Sequence, residues 1–175
     1  MIDHGGLVAD KTHYLYPGMI FAHSEPYQVS TILGSCVAVV FIDPVHRVCG
    51  INHFIMPLWN GEGLPTPKFG NVAIQKLYEK VIAIGAEKRL IQAKVFGGAS
   101  IHSRVTGPVN VGPRNVKVAF DMVMELGVPI VASDTGGNYG RKLILSTETG
   151  GVKVKMLKNA IAMEMENADE GPDNR

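Results

Sequence analysis

Two apolar segments flanking an Asp-Pro turn signal constrain this chain more than any other feature. Residues 36–42, Cys-Val-Ala-Val-Val-Phe-Ile, form its longest uninterrupted apolar run. Seven residues fall far short of the roughly 18 that a membrane span needs, so the run reads as a buried strand. Asp43-Pro44 follows; proline presets its own backbone angle and aspartate can hydrogen-bond the turn. Residues 48–56 then read as the returning strand, which makes residues 36–56 an antiparallel hairpin.

The remaining chain is punctuated in the same manner. Twenty glycines and ten prolines in 175 residues predict short strands and tight turns in place of a helical bundle. Further strands are expected at 19–23, 27–33, 90–96, 128–132, 142–147 and 152–157, the last two paired across Glu148-Thr149-Gly150-Gly151. Asn71 is the expected N-cap of a helix with Ala73, Leu77, Val81 and Ile84 on one face, ending at Gly85. A second helix opens near Pro113, turns Val116, Ala119, Phe120 and Val123 inward, and stops at Gly127. The fold class is therefore α+β: a mixed or antiparallel sandwich core with flanking helices, in one domain. Residues 1–16 are expected to be a loose lead-in, 17–157 the domain, and 158–175 an acidic, disordered tail. The Pro- and Gly-rich loop at 57–70 is long enough to be functional.

Charge and cysteine usage narrow the function classes. Seventeen basic against sixteen acidic residues, a formal charge of +1, exclude a bulk electrostatic case for binding nucleic acid or anionic membrane. Two cysteines, with no basic and apolar leader in the first residues, give the expectation of a cytoplasmic protein with free thiols.

The hairpin brings a thiol and an imidazole together. With Asp43–His46 as the turn and Ile42 facing Arg47, the numbers in each cross-strand pair sum to 89, and Cys36 falls opposite His53. Directly opposed side chains share a face, with Cβ atoms about 4.5–5.5 Å apart. An imidazole there can take the thiol proton and later protonate a departing amine. Gly34 and Ser35 beside the cysteine offer backbone N–H groups to a developing oxyanion. Hydroxyls of Ser30 and Thr31 on the preceding strand can orient the histidine ring; being adjacent, they face opposite ways and are separate proposals. The plain alternative is that Cys36 packs inertly in its strand, and Cys49, between Val48 and Gly50, reads as structural. In that register Cys49 faces Val40, about 13 Å along the strand from Cys36, which excludes a disulfide between them.

Other candidates carry less. Six histidines include no HxxxH pair and the cysteines are not in CxxC spacing, so no metal site is expected. Gly97-Gly98-Ala99-Ser100 lacks a phosphate-loop ending and reads as a tight turn. Trp59 in the long loop is either a partner contact or a lid on the core. Asn138 and Arg141 are candidate contacts to a protein substrate, and Arg114 a structural or rim residue.

Taken in order, Leu33-Gly34-Ser35-Cys36-Val37, Asn52-His53-Phe54 with Met56-Pro57, Phe69 to Ile74, Lys94 to Ala99, Gly112 with Arg114-Asn115, and Asp134 to Gly137 with Gly140-Arg141 resemble the CheD family of chemoreceptor glutamine deamidases. Each motif alone is weak; their order and spacing are specific, and they span about residues 18–147. The resemblance implies a Cys–His–Thr hydrolase that converts selected receptor glutamines to glutamate through a thioester, with Cys36 as nucleophile and His53 as base. It implies no cofactor, and it permits receptor methyl-ester hydrolysis. Six residues before the cysteine, where family members carry threonine, stands Ser30; Thr31 stands five before, and the local string favours it slightly. The resemblance places Gly97 and Gly98 at the rim of the site. It implies methyl-accepting receptors as protein substrates, met at the membrane without insertion, and a CheC-type phosphatase as a further partner. A non-catalytic adaptor for that phosphatase is the competing reading.

Overall fold

The computed structural model describes residues 11–101 and 110–158. Its organising element is the strand β4, Val37–Asp43, in which all seven residues are buried. Side chains alternate across a strand, so Val37, Val39 and Phe41 enter one apolar core while Ala38, Val40 and Ile42 enter another. Both faces are covered, which is why its sequence is a continuous apolar run without polar alternation.

The first core lies between helices and a five-stranded sheet of order β2-β5-β4-β6-β7 (Ile20–His23, Val48–Asn52, β4, Gln92–Gly97, Ile130–Thr135). Helix α1, Gly70–Ala83, places Ala73, Ile74, Leu77 and Val81 in that core, and α2, Val111–Glu125, places Ala119 and Val123 there. The second core lies between this sheet and a four-stranded one of order β1-β3-β8-β9 (Thr12–Tyr14, Gln28–Leu33, Gly140–Ser146, Val152–Leu157). The layers run sheet, sheet, helices. Pairings β1–β3 and β6–β7 are parallel and the others antiparallel, so the α+β sandwich with mixed sheets expected from sequence is the observed class.

Several boundaries move for local reasons. The span expected as a lead-in contains β1, and Leu15 just after it is fully buried. Asn71 is not an N-cap: α1 starts one residue earlier, at Gly70, behind Phe69, and the Asn71 side chain accepts a hydrogen bond from the Trp59 amide (3.0 Å) instead. The returning strand β5 ends at Asn52, where the Asn52 side chain replaces a backbone acceptor and takes the Val39 N–H at 2.9 Å. The acidic tail beyond Lys158 lies outside the described residues.

The hairpin turn also differs from expectation. Asp43 pairs with Val48 as the last rung, and residues 44–47 form the loop, with Arg47 at φ 55°. The Asp43 carboxylate is buried and accepts from the amides of Val45 (2.9 Å), His46 (3.1 Å) and Glu87 (2.8 Å) and from the His46 ring (2.7 Å). That ring of donors holds Asp43 in the strand, so paired positions sum to 91.

Candidate functional site

The site forms where the chain crosses from one sheet to the other. Strand β3 ends at Leu33, Gly34 and Ser35 make the crossing, and Cys36 stands immediately before β4. In the observed register Cys49 faces Ile42, and His53, one residue past β5, continues toward Ala38. Cys36 is therefore a diagonal neighbour of His53, not its direct partner, at the about 7–8 Å typical of diagonal positions. The shift is two residues, an even number, so both side chains remain on the face that looks toward the other sheet. Cys36 packs, partly buried, against the inter-sheet core; Cys49 lies within it, fully buried, and both thiols are free.

The opposite sheet supplies the third group. Thr31 is fully buried, and its Oγ1 lies 2.7 Å from His53 Nδ1 and 2.7 Å from the Leu15 carbonyl. A hydroxyl has one proton, and a carbonyl can only accept. Thr31 therefore donates to Leu15 and accepts from Nδ1–H of His53. That fixes the tautomer and leaves the lone pair on Nε2. Nε2 is buried without a hydrogen-bond partner among the described residues. Ser30 is on the other face of β3, partly exposed, so it does not share this arrangement.

Backbone contacts hold the ring in place. The His53 amide donates to Met19 O (3.1 Å) and its carbonyl accepts from Gly18 N (2.7 Å), so the segment linking the two sheets grips it on both sides. Burial pushes the His53 imidazole down to about 4, against the Leu15 carbonyl, which favours the charged ring. Burial pushes the Cys36 thiol up to about 11, against its own backbone N–H, which favours the thiolate. Both shifts favour the uncharged forms, thiol and neutral imidazole, at pH 7.

The cysteine is backed by glycines. Gly97 (φ 104°) would bring a Cβ to 2.3 Å from the Cys36 carbonyl, and Gly98 (φ 71°) would bring one to 2.2 Å from Val116. Gly98 N donates to Cys36 O (2.8 Å) and Ala99 N to Gly34 O (2.9 Å). Gly97 and Gly98 are buried behind the thiol and are not an exposed rim. Arg141 is likewise no surface contact: it is 1% exposed, its guanidinium bound to the carbonyls of Asp134 (2.6 Å) and Gly136 and to the Asp134 carboxylate. Asn138 and Arg114 are exposed. Trp59 is half-buried, and its indole N–H donates within its own loop, to Glu62 O at 2.9 Å.

One buried residue near the site enters the sequence reading only within the Gly112, Arg114-Asn115 motif, with no role of its own. Asn115 on α2 donates from Nδ2 to Ser35 O (3.0 Å) and to Ile55 O (2.9 Å). Its signal was helical phase: it is aligned with Gly112, Ala119 and Val123, a polar side chain on the buried stripe. Among the described residues no group of three or more His, Cys, Asp or Glu is placed to hold a metal ion, and no helix is long and apolar enough to cross a membrane.

Comparison with known proteins gives the same direction. The family described as CheD chemotactic sensory transduction matches residues 59–156, a stretch that begins after His53. A protein of Trichlorobacter lovleyi named probable chemoreceptor glutamine deamidase CheD is 46% identical over 140 residues, 80% of this chain and 87% of its own. Namesakes from Rhodospirillum rubrum (36% over 162 residues, 93% and 92% of the two chains) and Methanococcus vannielii (30% over 139 residues, 79% and 90%) are more distant. With more than half of its length matched and relatives aligned along most of theirs, the chain belongs to the CheD family.

Proposed function

We propose that this chain hydrolyses the side-chain amide of glutamines in chemoreceptors, with Cys36 as nucleophile, His53 as base and Thr31 as the group that orients His53. The observation that carries the reading is the Thr31–His53 contact at 2.7 Å, which leaves the lone pair on Nε2 of a histidine that shares a strand face with Cys36. The names of the relatives supply the substrate class.

The steps follow from these groups. Nε2 of His53 takes the Cys36 proton as sulfur attacks the carboxamide carbon, and the oxygen becomes an oxyanion facing the crossing backbone at Ser35 and Cys36. His53 gives the proton to the leaving nitrogen, the C–N bond breaks, and ammonia departs from a γ-glutamyl thioester. His53 then takes a proton from water, hydroxide attacks the thioester, and glutamate leaves as the thiol is reprotonated. A receptor γ-methyl ester enters the same cycle with methanol as the leaving group. Catalysis by these groups requires neither metal nor organic cofactor.

The test is mass spectrometry of a glutamine-bearing receptor cytoplasmic fragment incubated with the intact protein and with Cys36→Ala. Glutamine-to-glutamate conversion at discrete positions by the intact protein, reduced at least about 10⁴-fold in the variant, is expected. Equal conversion by both would remove Cys36 from the mechanism. No conversion by a folded protein would favour the adaptor reading, in which the chain binds a CheC-type phosphatase without turnover.

A further inference from the structure

We infer that Asn115 is a positioning residue for the oxyanion donor: it pins the Ser35 carbonyl and thereby aims the Cys36 amide N–H at the reacting carbonyl. The inference rests on the assignment of Cys36 as nucleophile.

The argument starts from covalent geometry. The chain has no cis peptide bonds among the described residues, and in a planar trans peptide the C=O and the following N–H point in opposite directions. The peptide joining Ser35 to Cys36 has its carbonyl held at 3.0 Å by Asn115 Nδ2, on the α2 side. The Cys36 N–H must point away from α2. It turns toward the sulfur, since the same N–H is the group that favours the Cys36 thiolate. The preceding carbonyl, of Gly34, is held by Ala99 N, and the next one, of Cys36, by Gly98 N. Three successive carbonyls are tied down on the protein side. Backbone amides supply two of these ties; a side chain supplies the third.

Asn115 is suited to this. Both of its acceptors are carbonyls, so the amide orientation is fixed: Nδ2 faces them. The second acceptor, Ile55 O, lies two residues beyond His53, so a single amide group ties the cysteine crossing to the histidine segment. The side chain is fully buried, and Oδ1 has no hydrogen-bond partner among the described residues.

The experiment compares two reactions of the same sulfur. Alkylation of Cys36 by iodoacetamide passes through no oxyanion, whereas deamidation does. Asn115→Ala is expected to lower kcat for receptor-fragment deamidation by about 10²-fold, with KM within a few-fold of wild type and the alkylation rate within about twofold. Val123→Ala, a core truncation on the same helix, controls for lost stability and is expected to keep kcat. Should Asn115→Ala fail to fold, the near-isosteric Asn115→Leu is measured in the same way. The inference is overturned if kcat and alkylation fall in proportion, or if kcat falls no further than in Val123→Ala at matched stability. Failure of the underlying assignment looks different: wild-type protein would then deamidate nothing, or Cys36→Ala would remain active.

Discussion

The two ends of the β4–β5 hairpin each bury a titratable side chain, and they treat it in opposite ways. At the turn, Asp43 is wrapped by four donors. Burial alone would raise its carboxyl, but the amides of Glu87, His46 and Val45 and the His46 ring outweigh that and hold it at about 2. At the open end, His53 is 1% exposed, has one ring nitrogen engaged and the other without a partner, and sits at about 4. A fully satisfied buried group builds the fold. The half-satisfied imidazole keeps a lone pair without a partner among the described residues, on the strand face that carries Cys36. Burial alone does not tell these two side chains apart; their hydrogen-bond partners do.

The sharpest way to break this contrast is to satisfy or strip the ring at the open end. Thr31→Val keeps the volume but removes the acceptor for Nδ1–H, freeing His53 to adopt the wrong tautomer. Deamidation kcat is expected to fall about 10²–10³-fold, by analogy with loss of the orienting group in other nucleophile–histidine sites. Ser30→Ala, on the opposite face of β3, is expected to leave kcat near wild type; steady-state assays of the two variants decide which hydroxyl serves His53. A large loss in Ser30→Ala with Thr31→Val unaffected would reverse the assignment.

The next test uses pH, because the two ends titrate in separate windows. The folded pKa of His53 lies below its ordinary value of 6.5, so the unfolded chain binds the proton first. Its contribution to stability is complete above pH 6.5 and is lost as pH falls to about 4, on the order of 3 kcal/mol. Asp43 is also depressed, from 3.8 to about 2, and its contribution of about 2 kcal/mol is lost as pH falls from 3.8 to about 2, below the His53 window. Urea midpoints taken at pH 7 and at pH 4.5 are expected to differ for wild type and to converge in His53→Asn. An unchanged pH dependence in that variant would mean that the ring is not buried neutral.

The smallest effect concerns the turn itself. Asp43→Ala leaves three backbone N–H groups without their acceptor and is expected to cost about 2 kcal/mol by urea denaturation, with kcat retained at temperatures where the variant is folded. A matching loss of activity in folded protein would show that the turn sets the geometry of the open end, and the two ends would no longer be independent.

Much of the site was legible before the fold. An apolar run around Asp43-Pro44 implied the hairpin, and strand parity put Cys36 and His53 on one face; the error of two positions in register preserved that parity. The expected turn was wrong because Asp43 reads as a loop residue from composition, while its donors include Glu87, a residue 44 positions away that no local rule anticipates. Gly97 and Gly98 were seen as a tight turn, but their need to be glycine comes from the Cys36 carbonyl and from Val116, both distant in sequence.

The sequence by itself determined most element types, the α+β sandwich and the shared face of Cys36 and His53, because these follow from side-chain periodicity and short-range turn chemistry. Only the tertiary structure decided between Ser30 and Thr31 as the neighbour of His53, revealed the Leu15 carbonyl that fixes the tautomer, and brought Asn115 to the Ser35 carbonyl beside Cys36. Those contacts cross between the two sheets, or between helix and strand, and the packing distance between layers is set by every side chain in the cores at once.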